Sequence, residues 1–389
     1  MTLPIDRDYI LATLQDIVRI DSINPGLIPG SAGEGELAAY LADALRAIGL
    51  EVDVSEPLPG RPNVVGILRG NGGGRSLMLN GHTDTVGVDG MDAPFSAEVR
   101  DGKLYGRGAY DMKASLAAML GAAKAFVDSG EKLAGDLLLA MVVDEEFHNT
   151  GTQAIVESHP VDGAIVTEPT GLRVCVAHRG FWWFDVETIG RAAHGSRYQD
   201  GIDANRLMGY FLVELDKHAA ELLQCPPHEL LGPPSIHAPL IKGGSSQSVY
   251  AARCLTELER RLLPGETPEQ IVQDLQTILD RLTETVPNFR GTVKQGFGRQ
   301  AFEVSSDAAI VQTVVDACQQ QLGAPPELYG ELWWMDSALL AQAGVETVII
   351  GPKGAGAHAD EEWVDLESVY ELAHILVRAS QRYCDAPHK

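Results

Sequence analysis

The sequence predicts an α/β fold interrupted by a smaller inserted α+β unit, and three observations carry that reading. The first half alternates helix-period and strand-like segments, as α/β architectures do. Near residue 179 the rhythm changes to strand, helix, strand, strand, helix, strand, and from roughly 300 the first pattern resumes. A chain of 389 residues is also long for one ordinary core and suits two domains.

The elements follow in order. Residues 8–21 (DYILATLQDIVRID) and 33–48 (GEGELAAYLADALRAI) place apolar residues at helical spacing. Residues 62–68, 76–80, 137–143 and 163–167 are short, apolar and β-rich, the mark of strands covered on both faces. Between them DMKASLAAMLGAAKAFVDSG predicts an alanine-rich helix over about 112–128, with Gly130 placed to stop it. In the insert, FWWFDVETIG reads as a strand and ANRLMGYFLVELDKHAAELL as a helix. Strand candidates near 235–242 and 252–262 come next, then a helix entered through Thr267-Pro268 and a last strand over about 289–297. That order is the split-βαβ, ferredoxin-like one. A helix at 307–322, a strand at 346–350 and a helix at 366–383 complete the chain. The domain reading is 1–178 and 299–389 as two parts of one domain, with 179–298 inserted between them.

Composition narrows the function. The net charge is −24, from 30 basic and 54 acidic residues, which argues against nucleic acid and against an anionic membrane surface as partners. No apolar run approaches the roughly 20 residues that span a bilayer, and MTLPIDRDYI lacks the basic and apolar regions of a secretory signal. The five scattered cysteines never stand in CxxC spacing, so neither a disulfide framework nor a thiolate zinc site is expected, and a reducing cytoplasm is.

Five segments bring metal-type ligands out of apolar or glycine-rich runs: SLMLNGHTDTV with His82 and Asp84, GRGAYDMK with Asp111, LLLAMVVDEE with Glu145 and Glu146, AIVTEPT with Glu168, and VIIGPKGAGAHADEE with His358. Each has a plainer reading. His82 can be a loop histidine, Asp111 a helix N-cap, and Glu145-Glu146 and Glu168 solvated turns. Asp84 strengthens His82, because a metal-bound imidazole usually donates its other N–H to a carboxylate. His82 and the glutamates fall close behind strands, and open α/β sheets gather ligands at that rim. Imidazoles and carboxylates without cysteine suit zinc, with cobalt or manganese as substitutes. Two such ions about 4 Å apart drive hydrolysis.

HTDTV, GRGAYDMK, DEE, TEPT and the late AH resemble the two-zinc family of acetylornithine deacetylases, succinyl-diaminopimelate desuccinylases, aminoacylases and glutamate carboxypeptidases. The resemblance covers nearly the whole chain. It implies a zinc-peptidase-like catalytic domain with a mixed, mostly parallel sheet, and an inserted ferredoxin-like α+β domain that serves as lid and dimerisation unit. It implies that Asp111 bridges two zinc ions, with His82 and Glu168 completing one site and Glu146 and His358 the other. Asp84 would orient His82, and Glu145 would be the unligated base that moves a proton from water to the leaving amine. A cis peptide at Asp111-Met112 is a further implication.

In the insert, His194 of GRAAHGS resembles the family's lid histidine, which stabilises the tetrahedral oxyanion, in dimeric members from the partner subunit. Arg261 resembles the arginine set against a substrate carboxylate, although Arg260 is adjacent and Glu259 stands where aspartate is commoner. One departure concerns recognition: Ser248 occupies the family's asparagine position, and no proline follows. Trp333 and Trp334 lie in a segment that borders the pocket in relatives, while core packing accounts equally well for one of them. Of Trp182 and Trp183, which alternate on a strand, one is expected to face the insert's core.

The expected activity is hydrolysis of the amide of an N-acyl amino acid, with acetylornithine deacetylase first. Glu168, rather than aspartate, fits the deacylase and carboxypeptidase branches by resemblance. A carboxypeptidase or dipeptidase is the nearest rival. A non-catalytic binding module on the same fold is the rival of another class. A phosphatase lacks support, with no arginine cluster or phosphate-cradling loop beside the ligands. The partners expected are a small-molecule substrate and a second copy of the chain.

Overall fold

The computed structural model describes residues 3–388, and its first helix, α1 (Arg7–Arg19), opens at Asp6, whose carboxylate accepts a hydrogen bond from Tyr9 N. Helix α2 (Gly35–Ile48) ends at Gly49 in the left-handed conformation. Strands β1 (Glu51–Leu58) and β2 (Arg61–Leu68) form an antiparallel hairpin. The sequence reading missed β1, because EVDVSEPL is largely exposed and so lacks the apolar signal of a covered strand. Strand β3 (Leu77–His82) is buried throughout, and the short β4 (Glu98–Arg100) and β5 (Lys103–Tyr105) follow it.

A single π-helical turn, Ala109–Lys113, then leads into α3 (Ala114–Ser129). The helix expected from about residue 112 therefore starts two residues late, since Asp111 and Met112 leave helical φ/ψ. Gly130 ends it, as expected, at φ +71°. Burial runs almost all round α3, so it is a central helix and not a surface one. Strand β6 (Leu137–Val142), helix α4 (Thr150–Ser158) and strands β7 (Gly163–Val166) and β8 (Val174–His178) complete the first stretch.

The next elements are β9 (Gly180–Ile189), α5 (Ala204–Leu222), β10 (Ser235–Gly243), β11 (Arg253–Leu262), α6 (Pro268–Thr285) and β12 (Gly291–Arg299). Their sheet order, β10-β11-β9-β12 with every pair antiparallel, is that of a ferredoxin-like unit. Thr267 opens α6 with its main-chain N–H donating to Gln270 and proline at the first helical position. Phe184, Val186 and Leu258 on the strands pack with Leu207, Phe211 and Leu275 on the helices in a core of their own. Trp182 packs against that core, whereas Trp183 is largely exposed.

The chain continues through β13 (Phe302–Glu303), α7 (Ala309–Leu322), β14 (Leu328–Glu331), α8 (Ser337–Gln342) and β15 (Glu346–Ile349). It ends with β16 (Gly354–Ala355), β17 (Trp363–Asp365) and α9 (Leu366–Cys384). Two compact units result. The first holds the chain up to Val176, Val304–Tyr329 and everything from Met335 on; the second holds Ala177–Glu303 and Gly330–Trp334.

In the first unit, β6-β3-β7-β15 run parallel at the centre of a mixed sheet, with β1 and β2 antiparallel on one side and β8 on the other. A separate sheet of order β16-β17-β5-β4 joins the segment before Asp111 to the segment around His358. Nothing in the sequence reading anticipated it, because its strands are only two or three residues long. Among the described residues, no helix is long and apolar enough to cross a membrane.

Candidate metal centre

The parallel strands end at one rim, and each releases a candidate ligand there. His82 is the last residue of β3 and pairs with Val142, the last of β6. Glu145 and Glu146 follow β6 by three and four residues, around a turn at Asp144 with φ +70°. Glu168 lies two residues beyond β7. Asp111 comes from the π-helical turn, and the Asp111-Met112 peptide is cis, as the resemblance implied. His358 stands between β16 and β17, where Gly356 (φ +86°) must be glycine: a Cβ there would sit 1.8 Å from Glu361 O.

These residues converge. His82 Nε2 is 3.1 Å from Asp111 Oδ1 and 3.7 Å from Glu168 Oε1. On the other side of Asp111, His358 Nε2 is 3.4 Å from Oδ2 and 3.1 Å from Glu146 Oε2. Ligand atoms bound to one ion at about 2.0–2.2 Å stand a little over 3 Å apart, so these separations suit two ions astride Asp111. Ligand-type atoms of His82, Glu145 and Glu168 lie within 4.8 Å of one another, as do those of His82, Asp111 and Glu146. Proximity therefore leaves Glu145 within reach of an ion. What separates it from Glu146 is that its carboxylate makes no hydrogen bond or ion pair among the described residues, while that of Glu146 meets His358.

The contact of Asp84 with His82 differs from the expected one. His82 Nδ1 donates to the main-chain carbonyl of Asp84 at 2.9 Å, and the carboxylate is 3.7 Å away. That hydrogen bond occupies Nδ1 and leaves Nε2 facing Asp111 and Glu168, the nitrogen that would be free to bind a metal ion once deprotonated. The Asp84 carboxylate has another job, accepting from Glu145 N and Glu146 N at 3.1 Å each and from Asn24 Nδ2 at 2.7 Å. It thus fixes the turn that carries both glutamates. Behind it, Asn24 also reaches Asp144, which pairs with Arg61 at 3.0 Å, and Arg61 Nε donates to the buried Glu34 at 2.7 Å.

The sequence reading passed over Asn24, Glu34, Arg61 and Asp144. The lone signal was a polar SIN–PG loop, which a turn explains as well. Asp111, a possible N-cap by its place before α3, does not cap that helix. The residue flanking that helix is Lys113, and Asp111 instead faces both histidines.

Burial and like charge set the protonation of the cluster. Desolvation, then the neighbouring Glu168, pushes Glu145 well above the usual carboxylate range. Burial does the same to Glu168 and, less strongly, to Glu146. Burial would raise Asp111 too, but hydrogen bonds from His358 and His82 hold it far below its ordinary value. His358 is pushed up to about 10 by Asp111 and Glu146. For His82, burial opposes the charge, yet Asp111 and Glu168 outweigh it and raise the ring well above its ordinary value.

Four carboxylates (Asp111, Glu145, Glu146 and Glu168) thus share one pocket with two imidazoles. Two divalent cations carry the four positive charges that such a donor set needs, so the residues fit the metal pair.

His194 and Arg261 belong to the second unit. His194 is exposed, with Nδ1 2.8 Å from Ser196 Oγ. The adjacent arginines have opposite surroundings: Arg260 is buried and paired with Glu266, while Arg261 is about one-third exposed and donates to Glu259. Ser248 uses its main-chain carbonyl to accept from Gly195 N at 2.7 Å. Trp334 is buried, donating to Gln300 O, whereas Trp333 is exposed. Trp183 packs at a tilt against Phe181 and Phe297, with ring centroids 5.6 and 5.7 Å away.

Residues 78–382 match the family described as Peptidase family M20/M25/M40. Over 388 residues the chain is 30% identical to an acetylornithine deacetylase of Myxococcus xanthus, covering 96% of this chain and 97% of that one. It is 26% identical to an N-formyl-4-amino-5-aminomethyl-2-methylpyrimidine deformylase of Halalkalibacterium halodurans, covering 97% and 95%. The crystal structure of a tripeptidase from Staphylococcus aureus superposes with a TM-score of 0.80 over 98% of this chain and 99% of that one. At 21% identity that likeness speaks to the fold alone.

Proposed function

The chain belongs to peptidase family M20/M25/M40, a hydrolase family, and from that premise we propose a two-metal amidohydrolase that deacylates N-acyl amino acids, with acetylornithine deacetylase-like activity. The observation that carries the reading is the charge balance at the rim: four buried or half-buried carboxylates and two imidazoles, spaced for a pair of divalent ions. Zinc suits the donors best, with cobalt or manganese as substitutes.

When bound, the ions would polarise the amide carbonyl and make water acidic enough to attack at neutral pH. His82 and Glu168 would hold one, Glu146 and His358 the other, and Asp111 both. Glu145 would accept the proton of the attacking water on its carboxylate and deliver it to the amide nitrogen as the C–N bond breaks. The products are a carboxylate and a free amine. The absence of a hydrogen bond or ion pair on the Glu145 carboxylate among the described residues supports this role, because a shuttle must be free to take and release a proton. From the second unit, His194 would donate to the oxyanion and Arg261 would receive the substrate's carboxylate.

We propose that the working form is a homodimer. Leu240 and Ile241, each 58% exposed, lie on the edge strand β10. Sedimentation at the monomer mass would remove that part of the reading.

A dipeptidase or carboxypeptidase uses the same chemistry and differs in what holds the acyl side. A panel of N-acetyl and N-formyl amino acids against dipeptides, with zinc- and cobalt-loaded enzyme, separates the two. The expected result is the highest kcat/KM on N-acetylornithine. Clearly faster dipeptide turnover reverses the order, and no turnover together with less than one ion per chain favours a non-catalytic binding module.

A further inference from the structure

We propose that Glu362 and Arg107 form a buried clamp that keeps Asp111 and His358 in register, and so sets the affinity of the ion shared by Asp111, Glu146 and His358. The proposal rests on the two-metal reading above and assigns these two side chains as positioning residues.

The geometry is specific. Glu362 is 1% exposed and follows His358 by four residues. Both of its oxygens are spent on the segment that ends at Asp111. Oε1 accepts from Tyr110 N at 2.9 Å and from Asp111 N at 3.0 Å. Oε2 accepts from Gly108 N at 3.0 Å and from Arg107 Nη1 at 2.7 Å.

Arg107, 3% exposed, spreads its remaining donors outward. Nη2 reaches Ala359 O, beside His358, at 3.0 Å, and Nε reaches Gly87 O, just past the His82–Asp84 stretch, also at 3.0 Å. The main chain repeats the link, with Gly106 N donating to Glu362 O at 3.1 Å and β17 pairing with β5. Two side chains therefore tie together three loops that are remote in sequence.

A purely structural ion pair is the competing account, and a buried pair is weak evidence for stability because desolvation offsets most of its attraction. The pattern of donors decides between them. Every acceptor position of Glu362 is taken by a donor of the Arg107–Asp111 segment (Arg107, Gly108, Tyr110 and Asp111), and none by an α-helix or a strand of the central sheet. An amide in its place would turn a donor towards Gly108 N–H and the guanidinium, so the turn would shift. Metal bonds tolerate only about 0.2 Å of error, so a shift of that turn relative to His358 is felt first by the ion between them. His82 and Glu168 sit at strand ends outside the clamp, and their ion should feel it least.

The test is a cobalt titration of metal-free protein, followed by visible absorption and by metal content after dialysis. Wild type should take up two ions per chain; a wild type that binds none refutes the two-metal reading and not the clamp. Glu362→Gln should retain one ion at near wild-type affinity and bind the second about 10–100-fold more weakly. Because Glu362→Gln leaves Arg107 buried and uncompensated, the double variant Arg107→Met/Glu362→Gln removes both charges, and it should show the same split. Arg107→Lys keeps the charge pair but cannot span the Gly87 and Ala359 carbonyls, and should show the split in smaller measure. Two ions bound at wild-type affinity in any folded variant lacking the Glu362 carboxylate, or equal weakening of both ions, would overturn the clamp.

Discussion

In the first unit the candidate site side chains, the exposed His358 excepted, are buried or half-buried and held by residues remote in sequence, whereas in the second they are exposed or part-exposed and held by near neighbours. His82, Asp84 and Glu168 are 2%, 1% and 5% exposed, and the Asp84 carboxylate is shared with Asn24 and the Glu145-Glu146 turn. His194, by contrast, bonds through its ring to Ser196 two residues on, and Arg261 leans on Glu259 of its own strand. A side chain pinned by remote partners keeps one geometry, which suits reaction chemistry. One held by its neighbours can adjust, which suits recognition of a substrate.

The largest expected effect tests the rigid half. Glu145→Gln should lower kcat by about 10²–10⁴-fold while both ions stay bound, measured by turnover and metal content on the same preparation. Full activity would remove Glu145 as the base and leave the buried cluster as a metal site only.

A smaller effect tests the adaptable half. His194→Ala should lower kcat by about 10²–10³-fold with metal affinity unchanged. An unchanged kcat would return His194 to the surface and break the contrast.

The smallest effect is on stability and sharpens the account of burial. Lys113 is fully buried, with Nζ donating to the carbonyls of Ile17 and Ile20 at the end of α1, and burial pulls it down to about 7 from its ordinary 10.5. Between those values the unfolded chain binds the proton more tightly than the folded one. Stability of the metal-free protein should therefore rise with pH across that window, by up to about 1.4 kcal/mol per pH unit from this group. Denaturant melts of wild type and Lys113→Met at pH 7, 8.5 and 10 check it. A wild-type advantage that fails to grow with pH would show that Lys113 is more solvated than its burial suggests.

Legibility followed the same physical division. Strands β3, β6 and β7 could be read because covered strands must be apolar throughout, and a histidine or acid directly after such a run stands out. Helix α6 could be read from its proline and cap. The small sheet β16-β17-β5-β4 could not, since pairing of two- and three-residue strands leaves no period to detect. Asn24, Arg61 and Glu362 were passed over for a related reason. Polar residues in loops and at strand ends look alike until the fold shows which of them are buried.

By itself, the sequence determined the kinds of donor and the apolar runs that carry them to a strand end, and, through its resemblance, a hydrolase of this family with a candidate metal site at that rim. Those features are local, written in residue type and spacing. The tertiary structure decided which oxygen meets which partner: Asp84 turns its carbonyl to His82 and its carboxylate to the Glu145-Glu146 turn, and Glu362 grips the segment before Asp111. Those contacts join residues from 2 to more than 250 positions apart, and a hydrogen bond depends on distance in space and not along the chain.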